Sequence, residues 1–253
     1  MGKRFTSERR RELAELLLSN GSVQISRLAE QFQVSRETIR KDLLFLESEG
    51  IGQKTRGGSL IAEPAAERPL SSRAAEHTES KARIARAAAA KIPDGATVLM
   101  DAGSTTCEIA KLLVLRHHLT VVTNSALIPP ILAGSDNTVY ALGGELRGSS
   151  LACVGMWTLS ALQSIRGDLA ILATDGCLNR GGPCTTVYAE AEVKKAMVRN
   201  AGRTMLVCDS SKFLQESIVQ FCSWDEIDLL LTDDKADPEQ IEPLRAKMEI
   251  ELL

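Results

Sequence analysis

The chain has 253 residues, of which 44% are apolar and 25% charged, and its formal net charge is −3. This composition excludes global disorder, and the length is compatible with two domains. A net negative charge excludes an overall basic coat for nucleic acid, and 4% aromatic residues argue against an aromatic-lined cleft. No stretch approaches the roughly 18 apolar residues of a membrane span, and charge follows Met1 where a signal peptide would be apolar. We therefore expect a cytoplasmic protein with no membrane partner.

The charge is unevenly distributed along the chain. Residues 1–60 contain eleven Lys and Arg against eight Asp and Glu, a net charge of +3, whereas the remainder carries −6. Residues 62–80 lack hydrophobic periodicity and contain Pro64, Pro69 and several serines, which is typical of a linker. We predict a small basic domain at residues 1–61, a linker at 62–80 and a larger acidic domain at 81–253.

Three helices and a hairpin are predicted in the first domain. The apolar positions of the helices repeat at spacings of three and four residues: Leu13, Leu16 and Leu17, then Leu28, Ala29 and Phe32, then Ile39, Leu43 and Leu46. Ser35 is suited to cap the third helix. Two short helices joined by a short turn are typical of a helix-turn-helix. Residues 50–61 contain two short β-prone pieces around a basic, glycine-rich tip, which predicts a wing.

The third helix has a polar face that is suited to DNA. Its side chains can donate hydrogen bonds to phosphates or reach base edges in a major groove. A solvated helix face would explain the charges alone, but not their place in a helix-turn-helix. The predicted DNA-binding residues are Ser35, Arg36, Glu37, Thr38, Arg40 and Lys41 on this helix, and Lys54 and Arg56 in the wing.

Short apolar runs alternate with helical patterns in the second domain. The predicted strands are residues 97–100, 119–122, 138–142, 169–173, 205–208 and 229–231, and the predicted helices are residues 107–115, 126–132 and 189–201. Such alternation indicates an α/β fold with a mostly parallel sheet. Ligands of such sheets bind at the carboxyl ends of the strands, so the loops that follow them are candidate sites.

The loop at residues 101–106 reads Asp-Ala-Gly-Ser-Thr-Thr between a strand and a helix. Glycine lets a ligand approach the backbone, and free N–H groups at a helix start bind anions. An ordinary capped turn is the alternative. Further strand-end loops contain Thr123-Asn124, Gly143-Gly144, Asp175-Gly176 and residues 209–212, an inventory that suits a phosphorylated polyol.

Cofactors and metals are not indicated. The spacings of dinucleotide and P-loop motifs are absent, so no nucleotide cofactor is expected. The six cysteines form no C-x-x-C motif and the three histidines are few and scattered, which favours buried free thiols over a metal or disulfide framework.

Several motifs resemble one family. Residues 31–43 read Gln-Phe-Gln-Val-Ser-Arg-Glu-Thr-Ile-Arg-Lys-Asp-Leu, and Leu46-Glu47 and Arg56-Gly57-Gly58 follow. With these motifs, residues 6–61 resemble the winged helix of DeoR-type bacterial regulators, in which histidine often stands where this chain has Arg56. The second domain resembles the effector domain of that family through residues 101–106, Thr123-Asn124, Gly143-Gly144, residues 190–194 and residues 209–212.

The resemblance implies a ligand and a set of contacts. The effector domain of the family is similar to ribose-5-phosphate isomerase, whose glycine-serine-threonine loop holds phosphate. By this resemblance residues 103–106 would take the phosphate, and Asp175 and Lys212 would face the sugar. The predicted effector-binding residues are Asp101, Gly103, Ser104, Thr105, Thr106, Asn124, Gly143, Gly144, Asp175 and Lys212.

An enzyme is the alternative to a regulator. The isomerase has Lys-Gly-Gly where this chain has Arg180-Gly181-Gly182, and arginine does not readily transfer protons. Glu190 and Glu192 are both available for the acidic residue. We therefore predict no catalytic residues and a DNA-binding regulator, more specifically a repressor of carbohydrate genes, with operator DNA and a phosphorylated sugar as its partners. The alternative function is a sugar-phosphate isomerase with an accessory N-terminal domain.

We expect a homo-oligomer with two-fold symmetry, either a dimer or a tetramer. One small domain buries little DNA surface, and a symmetric pair of such domains would read two half-sites.

Overall fold

The computed structural model describes residues 6–20, 22–48, 53–55, 58–60 and 68–253. The polypeptide divides into two units, residues 1–66 and residues 67–253. Among the described residues, no helix is long and apolar enough to cross a membrane.

The first unit is built from three helices and a three-stranded antiparallel sheet. Its elements are α1 (Thr6–Asn20), β1 (Ser22–Gln24), α2 (Ile25–Phe32), α3 (Arg36–Ser48), β2 (Gln53–Thr55) and β3 (Gly58–Leu60). The order of the strands is β1-β3-β2. Leu13, Leu28, Ile39 and Leu43 are buried in one cluster, so the three predicted apolar stripes form a single core. Strand β1 was not predicted, because three residues carry too short a pattern.

The turn between α2 and α3 has a defined geometry. The Gln33 N–H donates to the Glu30 carbonyl and the Val34 N–H donates to the Ala29 carbonyl, which is the pattern of a Schellman motif. Gln33 accordingly adopts a φ of 53°, in the left-handed region. The tight turn places α3 directly after α2, as a helix-turn-helix requires.

The second unit contains a seven-stranded sheet in the order β14-β13-β11-β9-β4-β5-β6. All its pairings are parallel. Its strands are β4 (Thr97–Met100), β5 (Thr120–Thr123), β6 (Thr138–Ala141), β9 (Gly167–Leu172), β11 (Ala201–Val207), β13 (Leu229–Thr232) and β14 (Glu249–Leu252). Two short antiparallel pairs lie outside it, formed by β7 (Glu145–Leu146) with β8 (Cys153–Val154), and by β10 (Cys184–Thr185) with β12 (Val219–Gln220). The predicted α/β fold with a mostly parallel sheet is confirmed.

Helices cover both faces of this sheet. They are α4 (Leu70–Ala74), α5 (Thr78–Ala90), α6 (Ser104–Leu113), α7 (Ile128–Leu132), α8 (Met156–Gln163), α9 (Tyr188–Arg199) and α10 (Pro238–Ile241), together with 3-10 turns at Ser210–Leu214, Trp224–Glu226 and Glu242–Leu244. One core cluster joins Leu99 and Leu172 of the sheet to Leu162 of α8 and Met197 of α9. The second cluster, on the opposite face, contains residues of α5, α6 and α7. Alternate residues of each strand therefore face opposite layers.

The segment predicted as a linker, residues 62–80, contains regular structure. Helix α4 and the start of α5 lie within it. Ala85, Ala88 and Ala89 of α5 are buried, so this helix packs through small side chains that give a weak hydrophobic pattern in the sequence. Residues 61–67 lie outside the described part of the chain.

The sheet changes direction between β4 and β9. The chain builds β4, β5 and β6 outward on one side, and then returns to place β9 on the other side of β4. Ligand sites of parallel sheets lie outside the carboxyl ends of the strands at such a reversal. The loops that start at Asp101 and Ala173 leave the sheet at this position.

Candidate functional site

Helix α3 presents its predicted DNA-binding side chains to solvent. Ser35, Arg36, Glu37, Arg40 and Lys41 are exposed and Thr38 is half-buried. Ile39 and Leu46, which are 0% and 3% exposed, point into the core from the opposite face. The helix therefore separates an apolar face that fixes its position from a polar face that is free to contact DNA.

The start of α3 is capped as predicted. The Thr38 N–H donates to Ser35 Oγ at 3.0 Å, and the two hydroxyl oxygens lie 2.9 Å apart. Arg40 forms an exposed ion pair with Glu37 at 3.1 Å, an interaction that contributes little to stability. Opening this pair would leave the Arg40 guanidinium available to a phosphate.

Asp42 holds α3 against α1. Its carboxylate is 2% exposed and accepts hydrogen bonds from Arg9 Nε at 2.6 Å and Arg10 Nε at 2.9 Å. The Arg10 guanidinium also lies 3.8 Å above the Phe45 ring. These contacts hold the direction of α3 within the first unit.

The wing is described in part. Lys54 lies in β2, which pairs with β3 so that Lys54 faces Ser59 in the register. Arg56, predicted at the tip, lies outside the described residues. The DNA contacts predicted for both residues stay predictions.

The second unit has a polar cleft at the carboxyl ends of its central strands. The residues that line it are Arg73, Glu76, His77, Lys81, Ser104, Thr105, Ala173, Thr174, Val207, Cys208, Asp209 and Lys212. They come from the segment of α4 and α5 and from the ends of β4, β9 and β11. The cleft thus lies at the reversal of strand order, as the rule for parallel sheets predicts.

The first turn of α6 forms one wall of the cleft. The residue before the helix is Gly103, which has no side chain to cap it. The first N–H groups of a helix lack intrahelical partners and favour an anion. Neither the Ser104 nor the Thr105 hydroxyl has a hydrogen-bond partner among residues 68–253, so both are available to a ligand.

Two other members of this loop have internal partners. The Thr106 hydroxyl is buried and donates to the Gly103 carbonyl at 3.0 Å. Asp101, also buried, pairs with Lys194 Nζ, and the Ala173 N–H donates to the same carboxylate. Lys194 Nζ donates in addition to the Ala173 carbonyl at 3.0 Å. Asp101 and Lys194 thereby join the loops that follow β4 and β9.

Asn124 and the paired glycines also have structural surroundings. The Asn124 amide accepts from the Ala102 N–H and donates to the Cys153 carbonyl. Thr158 Oγ1 donates to the Gly143 carbonyl at 2.7 Å. A Cβ on Gly144 would lie 2.2 Å from that hydroxyl oxygen. None of these three residues lines the cleft.

Asp175 lies beside the cleft and is almost saturated with donors. One oxygen accepts from the Thr185 hydroxyl at 2.8 Å, the Thr186 N–H at 3.0 Å and the Thr186 hydroxyl at 3.3 Å. The other oxygen accepts from Arg73 at 3.3 Å. Burial disfavours the carboxylate, but the charges of Arg73 and Lys194 and the Thr185 hydroxyl outweigh burial and lower the pKa of Asp175 below its ordinary value.

Two lysines, Lys81 and Lys212, line the cleft together with Arg73. Lys212 Nζ donates to Gln215 Oε1 at 3.1 Å. Lys81 is 4% exposed, and its Nζ donates to the carbonyls of Arg73 and Glu76. Burial lowers the pKa of Lys81, although the Asp209 carboxylate partly offsets the effect. Within residues 68–253 no carboxylate oxygen lies within 4.0 Å of Lys81 Nζ, so an anion in the cleft would stabilise its charge.

The residues at the positions compared with the isomerase are engaged elsewhere. Glu190 is buried and accepts from Arg147 at 3.0 Å and Ser150 at 2.5 Å. Glu192 forms a surface pair with Lys195 at 2.8 Å. Arg180 donates to the Ser217 and Ile218 carbonyls. Neither glutamate lines the cleft, so neither has the geometry of a general base for a ligand bound there.

The described residues contain no group of three or more His, Cys, Asp and Glu placed to hold a metal ion. All six cysteines are free, and five of them are buried. Burial raises the pKa of the Cys177 thiol to about 12, so it stays protonated at neutral pH.

Arg73, His77 and Lys81 line the cleft but were not predicted from the sequence. All three lie in or next to the segment predicted as a linker, where Pro69 and several serines obscured a five-residue helix. Lys194 lies in the motif at residues 190–194, but no function was predicted for it. Its position three and four residues from the buried Ala191 and Glu190 was the available signal that it faces inward.

Comparison with known proteins gives concordant findings for both units. Residues 9–65 match the family described as the DeoR-like helix-turn-helix domain, and residues 76–234 match the DeoR C terminal sensor domain. The glycerol-3-phosphate regulon repressor of Escherichia coli K12 is 32% identical over 228 residues, which cover 90% of each chain. The transcriptional repressor AccR of Agrobacterium fabrum is 32% identical over 231 residues, again 90% of each chain.

Among solved structures, a D-ribose-5-phosphate isomerase in complex with phospho-erythronic acid aligns with a TM-score of 0.40. The identity is 18%, over 53% of each chain. A likeness of this size carries no weight for function.

Proposed function

The chain belongs to the DeoR family of transcriptional regulators, and from this premise we propose that a phosphorylated sugar or sugar derivative controls its affinity for operator DNA. It is a DNA-binding regulator, and the relatives compared above are named repressors. One relative is named for a glycerol-3-phosphate regulon, which supports a small phosphorylated polyol as the class of effector.

The observation that carries the proposal is the composition of the cleft in the second unit. An uncapped helix start with two hydroxyls that have no partner among residues 68–253, those of Ser104 and Thr105, lines the same cleft as Lys81 and Lys212. Such a combination suits a dianionic phosphate, because backbone N–H groups, hydroxyls and cations all favour negative charge. We assign the phosphate to Gly103, Ser104 and Thr105, and the sugar to the side of Asp175 and Lys212.

The regulator would act as a two-fold oligomer, dimer or tetramer, on a symmetric operator. The exposed face of α3 offers Arg36, Arg40 and Lys41 to the major groove, and a pair of such helices would contact two half-sites. Effector binding changes operator affinity only if the DNA-competent and DNA-incompetent forms bind the effector with different affinities.

The effector part of the proposal is tested by thermal unfolding against a panel of sugar phosphates and their dephosphorylated counterparts. A phosphorylated compound at 100 times its Kd should stabilise the protein by about 2.7 kcal/mol, and its dephosphorylated counterpart should not. Lys212→Ala should abolish the shift, whereas Lys235→Ala, at an exposed lysine of the same unit, should retain it. No shift with any phosphorylated compound would refute the proposed effector class.

The DNA part is tested by the salt dependence of binding. Arg36→Ala and Arg40→Ala should each weaken binding and reduce the slope of log K against log[salt] by about one. Arg245→Ala, at an exposed arginine of the second unit, should leave the slope unchanged. An unchanged slope in both helix variants would contradict the role assigned to α3.

A further inference from the structure

The segment from Arg68 to His77 is held by polar contacts, some within the segment and others to Lys81 of α5 and to Ser149. Arg68 forms a two-point ion pair with Glu76 at 2.9 and 2.5 Å, and Arg73 Nε donates to the Arg68 carbonyl at 3.0 Å. Lys81 Nζ donates to the carbonyls of Arg73 and Glu76. One apolar side chain, Leu70, is buried within the segment. Lys81 Nζ and the Leu70 N–H, which donates to the Ser149 carbonyl at 2.8 Å, join the segment to the rest of the second unit.

Arg73 connects this segment to the effector cleft. It lines the cleft beside Lys81 and Ser104, and its side chain is 15% exposed. One terminal nitrogen of its guanidinium reaches Asp175 at 3.3 Å, a distance at the long end of a hydrogen bond. The pair joins residues 102 positions apart in the chain. The Nε–H donates to the Arg68 carbonyl, and the remaining N–H groups on the two terminal nitrogens are available to a second anion.

Asp175 has partners other than Arg73. Its second oxygen accepts three hydrogen bonds from Thr185 and Thr186, and Lys194 adds a favourable charge. The carboxylate keeps these other partners when the Arg73–Asp175 pair opens. An arginine that leaves Asp175 gains more from a phosphate, because a guanidinium binds phosphate oxygens through two parallel hydrogen bonds.

We propose that Arg73 is the effector-sensing residue, which exchanges Asp175 for the phosphate of the bound ligand and thereby repositions the Arg68–His77 segment. The inference rests on the proposed function and names the regulation of that same site. The segment follows the DNA-binding unit directly in sequence, since that unit ends at Ala66. In the sequence, the segment therefore stands between the helix-turn-helix and the cleft. Lys81 anchors the carboxyl end of α4 and keeps the segment at the cleft while Arg73 exchanges partners.

The exchange predicts opposite effects for the two members of the pair. With inorganic phosphate as the probe, Arg73→Ala should weaken binding by roughly tenfold or more, the loss expected for a charge-assisted hydrogen bond. Asp175→Asn removes the competitor for Arg73, so phosphate should bind several-fold more tightly. The double variant should bind phosphate as weakly as Arg73→Ala. Arg86→Ala, at an exposed arginine of α5, is the matched control and should bind as the wild type does.

Hydrogen exchange of the full chain, followed by mass spectrometry, reports the segment itself. Phosphate should change exchange in peptides that span residues 68–77 in the wild type, and not in Arg73→Ala. Arg73→Lys keeps the charge but not the planar fork, and should bind phosphate with a reduced change at residues 68–77.

Two results would overturn the inference and leave the proposed function unaffected. Protection at residues 103–112 with none at 68–77 would show that phosphate binds without reaching the segment. Equal phosphate affinity in the wild type, Arg73→Ala and Asp175→Asn would exclude the exchange. Absence of phosphate-dependent protection anywhere, together with no thermal shift from any sugar phosphate, would overturn the proposed function and this inference together.

Discussion

Lys194 and Asp101 form a buried ion pair that joins the loops after two neighbouring strands, β4 and β9. The lysine and aspartate side chains are 4% and 3% exposed. Each also hydrogen-bonds the backbone of Ala173, so the pair closes a ring between the two loops. Helix α6 begins shortly after Asp101. The pair therefore fixes the position of the proposed phosphate site without contacting the ligand.

Removal of either partner should destabilise the protein strongly. Lys194→Met or Asp101→Leu leaves the other charge buried and unpaired, a change that costs about 3–5 kcal/mol. Chemical denaturation of the two variants would measure the loss. Lys195→Met on the same helix removes a partly exposed pair with Glu192, and should change the free energy of unfolding by less than about 1 kcal/mol. Equal effects at positions 194 and 195 would contradict the role given to Lys194.

Asp175 should contribute stability that depends on pH. Its pKa is lower in the folded protein than in the unfolded chain, so the contribution is complete above the unfolded value of about 3.9 and is lost as the pH falls through the folded value. Asp175→Asn should therefore be less stable than the wild type at pH 7, and the difference should shrink below about pH 4. Urea denaturation at a series of pH values would measure the difference. A constant gap between pH 7 and pH 3 would exclude this interpretation.

Asp42 should be required for the stability of the first unit and for DNA binding. Asp42→Leu leaves Arg9 buried without its carboxylate, which should cost on the order of 3 kcal/mol and release α3 from α1. The free energy of unfolding of the first unit, followed by its helical signal in circular dichroism, and the affinity for DNA should both fall. Glu30→Gln, at an exposed position of α2, serves as the stability control. Full DNA affinity in a stable Asp42→Leu variant would contradict the account of α3.

The paired glycines should differ sharply in their tolerance of alanine. A Cβ on Gly144 would lie 2.2 Å from Thr158 Oγ1 and 2.4 Å from the Val154 carbonyl, and the residue has a φ of +148°. Gly144→Ala should cost about 2 kcal/mol or more through overpacking and backbone strain. A Cβ on Gly143 meets nothing within 4 Å, so Gly143→Ala is the matched control. Thermal unfolding would separate the two variants, and equal melting temperatures would refute a packing role for Gly144.

Local patterns predicted the first unit well. The spacing of Ile39, Leu43 and Leu46 placed one face of α3 in the core, and the structure buries all three. Ser35 was predicted as the cap from its position alone, and its hydroxyl accepts the Thr38 N–H. These features depend on neighbours within a few residues, which is the range over which a sequence pattern carries information.

Long-range contacts in the second unit could not be predicted in the same way. Arg73 and Asp175 lie far apart in sequence, and nothing near either residue indicates the other. Strand β14 was missed because the predicted strands were continuous apolar runs, whereas Glu249–Leu252 alternates acidic and apolar residues, as a half-exposed edge strand does. Thr106 and Asn124 were expected to bind the effector because their residue types suit it. Their hydrogen bonds to the backbone are visible only in the fold.

The central claim is tested most directly by operator binding in the presence of sugar phosphates. A fluorescent duplex selected by the protein from a random pool would be titrated with the wild type, with and without each phosphorylated compound and its dephosphorylated counterpart. We expect one phosphorylated compound to change operator affinity by about 5- to 150-fold, the usual range of coupling between two sites, while its dephosphorylated counterpart has no effect. Operator affinity that no phosphorylated compound alters, or that both forms alter equally, would contradict the account.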